Sequence, residues 1–242
     1  MGCDDIFHKR KARKSAETER KKSKRKPYDR VLIVCEGSKT EPIYFEELRV
    51  TMELDSANIQ IDGSCGSSPI SVVRHAYNEY LQDKRQGHGE FYNTVFCVFD
   101  KDTHSTYQEA IGLAQSINDE LKKEGVDKET KFHAITSVPC FEYWLLLHYI
   151  PSTQPFLGTG TKSAGDRLID ELRNYIPHYV KTQRGIFKSS CNNGTLQFAL
   201  GHSKRIFDAS LKSGCDNPST NVHILVEYLM KLKDDQDDKS RS

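Results

Sequence analysis

Two apolar runs in this chain each end on acids. Val31-Leu-Ile-Val-Cys35 leads into Glu36, and Val95-Phe-Cys-Val-Phe99 leads into Asp100-Lys-Asp102. Unbroken runs rich in β-branched and aromatic residues suit strands buried on both faces, as in parallel sheets. Amphipathic segments fall between them. Ser38-Lys-Thr-Glu41 has capping-box spacing with Pro42 in the first turn, and Phe45, Leu48 and Met52 follow at helical spacing. Ile59-Gln-Ile61 reads as a short strand. Residues 63–68 read as a loop, and Ser68-Pro69 opens a helix with Ile70, Val73, Tyr77 and Leu81 on one side. Ala110, Leu113, Ile117 and Leu121 predict another helix stopped by Gly125, and residues 132–136 another strand. Residues 31–136 therefore read β-α-β-α-β-α-β, the alternation that builds a parallel sheet with crossover helices.

The second half reads as helical. Residues 141–150 are strongly apolar and stop at Pro151, residues 158–165 form a loop, and Leu168, Leu172 and Tyr175 mark a helix ended by Pro177. Leu196, Leu200, Phe207 and Leu211 predict a long helix, and Val222, Leu225, Val226 and Leu229 a last one. The expected fold class is α/β, a mostly parallel sheet flanked by helices with a helical C-terminal extension. The expected division is a disordered basic arm over 1–27, an α/β core over 28–137, a helical extension over 138–232 and a disordered tail over 233–242.

The net charge of +1 conceals an asymmetry. Residues 1–27 hold 11 Lys/Arg against 4 acids, and the other 215 residues hold 24 against 30. A +7 arm is too polar to order itself. It suits either non-specific phosphate contact or a solvated tail. No window approaches the run of about 18 apolar residues that a membrane-spanning helix needs. The basic N-terminus has no apolar stretch behind it, so no secretory signal is expected. Met-Gly-Cys is followed by Ile6 where myristoylation wants Ser or Thr. The seven cysteines form no C-x-x-C pair, and Cys35 and Cys97 sit inside apolar runs. Both features point to a reducing cytoplasm. Asn193-Gly-Thr195 is formally a glycosylation sequon, and without a secretion signal it reads as a loop entering a helix cap.

The strand-terminal acids carry the chemistry. In a parallel sheet, ligands gather at the carboxyl ends of the strands. Glu36, Asp100 and Asp102 are expected to converge there, and three ionised carboxylates side by side repel unless a cation lies between them. Hard oxygen donors without His or Cys favour Mg2+ or Mn2+ over zinc. Such an ion can polarise a phosphodiester.

Other signals carry less. Gly158-Thr-Gly-Thr-Lys162-Ser163 mimics a phosphate loop but lacks Gly before the Lys and a preceding strand. Cys191, His202, Cys215 and His223 have irregular spacing for a zinc site. No G-x-S-x-G elbow occurs. Tyr143 and Trp144 fit core packing, and His148 a satisfied core histidine. No internal repeat is evident.

Four motifs resemble a known family: "EGSKTEPIYF", "VFDKD", "SVPCFEYWLLLHY" and "NPSTNVHILVEYL". Together they are similar to the RloB-like family of bacterial proteins over residues 28–232. The order of "VLIVCEG" and "VFCVFDKD" also resembles a Toprim domain, as in topoisomerases, primases and OLD-family nucleases. The resemblance implies a Toprim-type, Mg2+- or Mn2+-dependent nuclease that cuts DNA or RNA, tRNA included, and acts in defence against phage beside an ATPase partner. It implies metal ligation by Glu36, Asp100 and Asp102, with Glu36 also a candidate general base. Glu41, Glu142 and Lys181 of a Tyr179-x-Lys181 element are further candidate catalytic residues. Arg184 and Lys188 are candidate phosphate contacts. The other reading is a non-catalytic subunit that docks on the ATPase and binds nucleic acid. A topoisomerase would need a tyrosine domain that the chain hardly accommodates. Whether copies assemble as a homo-oligomer stays open.

Overall fold

The computed structural model describes residues 29–56, 58–86, 91–123, 130–191 and 195–240. The basic arm, the Gly125 stop and Asn193 of the sequon lie outside the described residues. The first half alternates as expected: β1 (Val31–Cys35), α1 (Thr40–Thr51), β2 (Ile59–Asp62), α2 (Pro69–Arg85), β3 (Thr94–Asp100), α3 (Tyr107–Lys123) and β4 (Lys131–Val138). The second half holds α4 (Glu142–Leu146), α5 (Ala164–Leu172), α6 (Ile186–Ser190), α7 (Thr195–Ser213), β5 (Ser219–Thr220) and α8 (Val222–Ser240). The sheet order is β2-β1-β3-β4-β5. β1 pairs in parallel with β2 and β3, β3 in parallel with β4, and the short β5 closes the edge antiparallel to β4.

The unbroken apolar runs follow from two cores, one on each face. Val31, Ile33, Cys35, Phe96 and Val98 pack with α1 and the second-half helices. Leu32, Val34, Val95, Cys97 and Phe99 pack with α2 and α3. Successive strand residues point to opposite faces, so a strand covered on both sides needs apolar residues throughout. The helical extension is thus the cover of one sheet face. Two-sided cover of a mostly parallel sheet also fixes where a site can form, at the rim where the strands end.

Several local readings change. The α1 capping box does not form: the helix starts at Thr40 behind Lys39 with no side-chain cap, Ser38 is exposed and Glu41 is buried. Glu41 turns into a pocket instead of back to the helix start. The Ser68 cap does form, with Ser71 as its reciprocal partner. On α2 the buried line runs through Ile70, Val73, Ala76 and Tyr80, leaving Tyr77 and Leu81 only partly covered. The apolar stretch 141–150 is α-helical only from Glu142 to Leu146 and continues in turns, although every residue to His148 is buried. Leu211 is exposed, so the buried stripe of α7 is shorter than its spacing suggests. α8 runs on to Ser240 through the acidic stretch expected as a disordered tail from 233, and Lys233 reaches Asp237 at 3.0 Å one turn on.

Candidate active site at the carboxyl end of the sheet

The chain leaves β1 at Glu36, whose backbone N–H still donates to Val98 O at 2.9 Å. Gly37 then takes φ +82°, a conformation glycine adopts without strain, and turns the chain toward α1. This leaves the Glu36 side chain facing the end of β3. Its Oε2 accepts the Asp100 N–H at 3.1 Å, and its Oε1 lies 3.2 Å from His104 Nε2. Asp100 is the last residue of β3. The ladder carries on past it, with Lys101 N donating to Ser137 O at 2.9 Å and Asp102 N to Pro139 O at 3.1 Å. Asp102 sits at φ +31°, rare for a side-chain-bearing residue, and its carboxylate is exposed at the rim. Lys101 points away to Asp216 at 2.7 Å, tying the Asp-Lys-Asp turn to the segment before β5.

A second group of side chains arrives from α1, α4 and the segment between α5 and α6. Glu142 opens α4 and is 1% exposed. Its Oε1 accepts the Tyr179 hydroxyl at 3.1 Å and lies 3.4 Å from Thr40 Oγ1 and 3.7 Å from Lys181 Nζ. Thr40 Oγ1 also lies 3.2 Å from the Lys181 carbonyl. A buried carboxylate is costly unless paired and hydrogen-bonded, and these neighbours supply that pairing. Glu41, in the first turn of α1, is 7% exposed.

Glu36, Glu41, Asp100, Asp102, Glu142 and Lys181 line one pocket of about 340 Å³, together with His104 and residues 37–40. All six predicted site residues are therefore on one surface. Crowding shows in their proton affinities. Burial raises Glu36 above the usual carboxylate range, against its hydrogen bond from Asp100. Burial, with Glu142 and Glu36 nearby, pushes Glu41 up to about 8. Burial again, then Glu41, Glu142 and Glu36, holds Asp100 well above its usual value. Burial works to lower Lys181, but the Glu142, Asp100 and Glu41 carboxylates outweigh it and raise it.

An all-oxygen donor set with surplus negative charge suits a hard divalent cation, and Glu36, Asp100 and Asp102 are the residues of this pocket that could hold one. Among the described residues, however, no three His, Cys, Asp or Glu side chains are already drawn into a metal-binding cluster. Glu36 is instead engaged by Asp100 N–H and His104.

His104 has no counterpart in the sequence reading. Its one signal is its place two residues beyond Asp102. The remaining expectations hold their modest roles. His148 lies in the core as expected but is only half satisfied, with Nδ1 3.0 Å from Ser190 O and Nε2 buried without a hydrogen-bond partner among the described residues, and Tyr143 and Trp144 are fully buried. His223 pairs with Ser203 at 2.8 Å while Cys215 is exposed, so the irregular Cys/His set has other engagements. Thr159 and Lys162 close a small turn, with Lys162 on Asp170. Arg184 and Lys188 are exposed on the segment that carries Lys181.

The fold and pocket define an α/β protein with an acid-lined site at the carboxyl end of a mostly parallel sheet. The profile of the family described as RloB-like protein matches residues 31–229, and the chain belongs to that family. The match spans every residue of the pocket. No curated protein and no solved structure matches the chain. Among the described residues, no helix is long and apolar enough to cross a membrane.

Proposed function

We propose that this RloB-like protein is a Toprim-type nuclease that cuts phosphodiester bonds of DNA or RNA with Mg2+ or Mn2+. The observation that carries the reading is the meeting of Glu36 from the end of β1 with Asp100 and Asp102 from the end of β3 in one pocket, with Lys181 beside them. Glu36, Asp100 and Asp102 hold the cation. When bound, that ion supplies Lewis-acid polarisation of the scissile phosphate and steadies the leaving oxygen. Lys181 keeps an ammonium beside the pocket for charge that builds on the phosphate. Glu41, which burial pushes up to about 8 in the metal-free chain, keeps its proton at neutral pH and suits proton transfer at the pocket. Glu142 fixes Lys181 and is read as positioning it, through the contacts with Tyr179 and Thr40.

The family resemblance extends this proposal to a setting in bacterial antiphage defence, with an ATPase partner that controls the nuclease. The test is incubation of purified protein with DNA and with total RNA, with and without Mn2+, followed by mapping of cut ends. Cleavage that requires Mn2+ and disappears in Glu36→Gln and Asp102→Ala is expected. Full cleavage by the Glu36→Gln/Asp102→Ala double variant sinks the proposal. The second reading, a non-catalytic nucleic-acid-binding subunit of the ATPase, draws on the lack of a ready-drawn metal cluster among the described residues. Calorimetric Mn2+ binding that is lost in Asp100→Asn favours the enzyme, and no binding by the parent favours the subunit.

A further inference from the structure

From Arg173 to Phe207 the chain carries six Lys/Arg and no Asp or Glu, although residues 28–242 together are net −6. Part of this acid-free stretch, residues 179–188, runs along α1 beside the pocket. It is pinned at three places. Arg173 reaches the Tyr179 carbonyl at 3.4 Å, Thr40 meets the Lys181 carbonyl at 3.2 Å, and Glu47 accepts the backbone N–H groups of Gly185 and Phe187 at 2.5 and 3.0 Å. Thr40 and Glu47 are seven residues apart on α1, about 10 Å along the helix axis. The apolar side chains Ile186 and Phe187 are buried in the core, so the strap is anchored from beneath as well.

The strap's cations point the other way. Lys181 is half-exposed at the pocket and held by Glu142. Arg184 and Lys188 are exposed, and among the described residues no carboxylate forms an ion pair with either. Pinning by Glu47 is spent on backbone N–H groups, which leaves both side chains outward. A rigid line of cations leading away from an acid-lined pocket has the charge pattern that suits a polyanion whose one phosphate sits in the pocket while its neighbours need a counter-charge.

We propose that residues 181–188 form a track for the nucleic-acid backbone, continuing outward from the pocket, with Arg184 and Lys188 as phosphate contacts and Glu47 as the residue that positions the track. The substrate class rests on the nuclease reading, but the contacts are sequence-independent, so the track serves DNA and RNA alike.

The test measures binding, without metal, so that it is separate from cleavage. The full chain carrying Glu36→Gln is titrated into fluorescent single-stranded and duplex oligonucleotides in EDTA at several salt concentrations. Adding Arg184→Ala and Lys188→Ala should weaken binding about 10-fold near 0.1 M salt, and should flatten the log–log salt slope by about 1.4 on single strands and about 1.8 on duplex. Glu47→Asp keeps the charge and both cations but falls one methylene short of the Gly185 and Phe187 N–H groups, so it should weaken binding about 3-fold with the slope unchanged. Lys122→Ala/Lys131→Ala removes the same charge at the opposite end of the sheet and should change neither quantity. Unfolding midpoints matching the parent confirm that the changes at exposed Arg184, Lys188, Lys122 and Lys131 and at part-buried Glu47 leave the fold intact.

Unchanged affinity and slope in the Arg184/Lys188 variant overturn the track and leave the basic face to an acidic protein partner. An equal loss in the Lys122/Lys131 variant also overturns it, because the effect is then one of total charge. Unchanged affinity in Glu47→Asp overturns the positioning role. Loss of binding in the Arg184/Lys188 variant, when the chain with native Glu36 cuts nothing with Mn2+, supports the track against the nuclease, whereas cleavage by the chain with native Glu36 alongside binding indifferent to Arg184 and Lys188 does the reverse.

Discussion

His104 Nε2 and Glu36 Oε1 face each other at 3.2 Å, joining the turn after β3 to the turn after β1. The contact holds Glu36 by one oxygen while Asp100 N–H holds the other at 3.1 Å. A carboxylate fixed at both oxygens has one orientation, and partners of this kind typically contribute 10- to 100-fold to metal affinity or activity. His104→Ala is therefore expected to lower Mn2+ affinity or cleavage by about that factor. His104→Asn should restore part of the loss, since its amide can still donate. Calorimetry and initial rates decide it, and parent-like values in the alanine variant refute the role.

Tyr179 and Lys181 both approach Glu142 Oε1, but from different environments. The Tyr179 hydroxyl is buried and Lys181 is half-exposed. Tyr179→Phe removes a donor from a buried carboxylate and should cost about 1 to 3 kcal/mol of stability by urea unfolding. Lys181→Ala strips the 1%-exposed Glu142 carboxylate of its paired cation while Tyr179 and Thr40 remain, so it should also cost stability, about as much as Tyr179→Phe or more, and lower cleavage strongly. Cleavage retained in Lys181→Ala despite a stability loss would place that residue with the fold rather than with the chemistry.

The sheet was legible because a strand covered on both faces needs apolar residues at every position, and β1 and β3 have them. The acids that end those strands marked the pocket for the same reason, since nothing apolar continues past the rim. What sequence could not supply is convergence across distance. Thr40 and Glu142 are 102 positions apart, and Glu142 and Tyr179 are 37 apart. The family motifs named Glu142 and Lys181, but their meeting on one oxygen is a property of the packed chain. The capping box at Ser38 misled because its spacing is local, whereas Glu41 is turned inward by the pocket. His104 carried no periodic or motif signal of its own.

Proton affinities set the pH dependence of the metal-free chain. Burial lifts Glu41 to about 8 and raises Asp100, so the folded state binds protons that the unfolded state has released, and stability falls as pH rises through that range. Burial lowers His148 and His223 to about 4, so each works the other way, destabilising as pH falls below its unfolded value of about 6.5. The raised carboxyls and the lowered histidines oppose one another between about pH 4.5 and 6.5. Above that the histidine contributions are spent and the carboxyl contributions remain. The thermal midpoint should therefore fall more steeply with pH above about 6.5 than below it, toward pH 8, with each 1 kcal/mol lost lowering it by about 2 to 4 °C. Glu41→Gln should reduce the alkaline decline. An alkaline limb as steep as the parent's removes Glu41 as its source.

Two glycines give opposite expectations for one substitution. A methyl on Gly63 would lie 2.5 Å from Gly37 O and 2.7 Å from Pro42 Cγ, against the turn that follows Glu36. A methyl on Gly112, within α3, meets nothing within 4 Å. Gly112→Ala should stabilise the chain by about 0.5 to 1 kcal/mol. Gly63→Ala must displace backbone next to the pocket, so it should destabilise and also weaken Mn2+ binding. Hydrogen exchange across residues 36–45 reads the displacement directly, and unaltered exchange there would show that the turn does not depend on Gly63.

Cation binding and proton release should be linked. In the metal-free chain Glu36, Glu41 and Asp100 all hold protons more tightly than ordinary carboxyls. A divalent ion needs the ionised form of its ligands, so its binding must expel whatever protons they and their neighbours still carry. Mn2+ affinity should therefore rise with pH between 6 and 8, by up to about 10-fold per unit for each proton released. The calorimetric heat should also differ between buffers of different ionisation enthalpy, by the number of protons released times that difference. Glu41→Gln cannot ionise, so it should release fewer protons while leaving Glu36, Asp100 and Asp102 to ligate. An affinity independent of pH, with the same heat in every buffer, would mean that the carboxyls are already ionised without the metal, and the crowding argument for a cation in this pocket would fail.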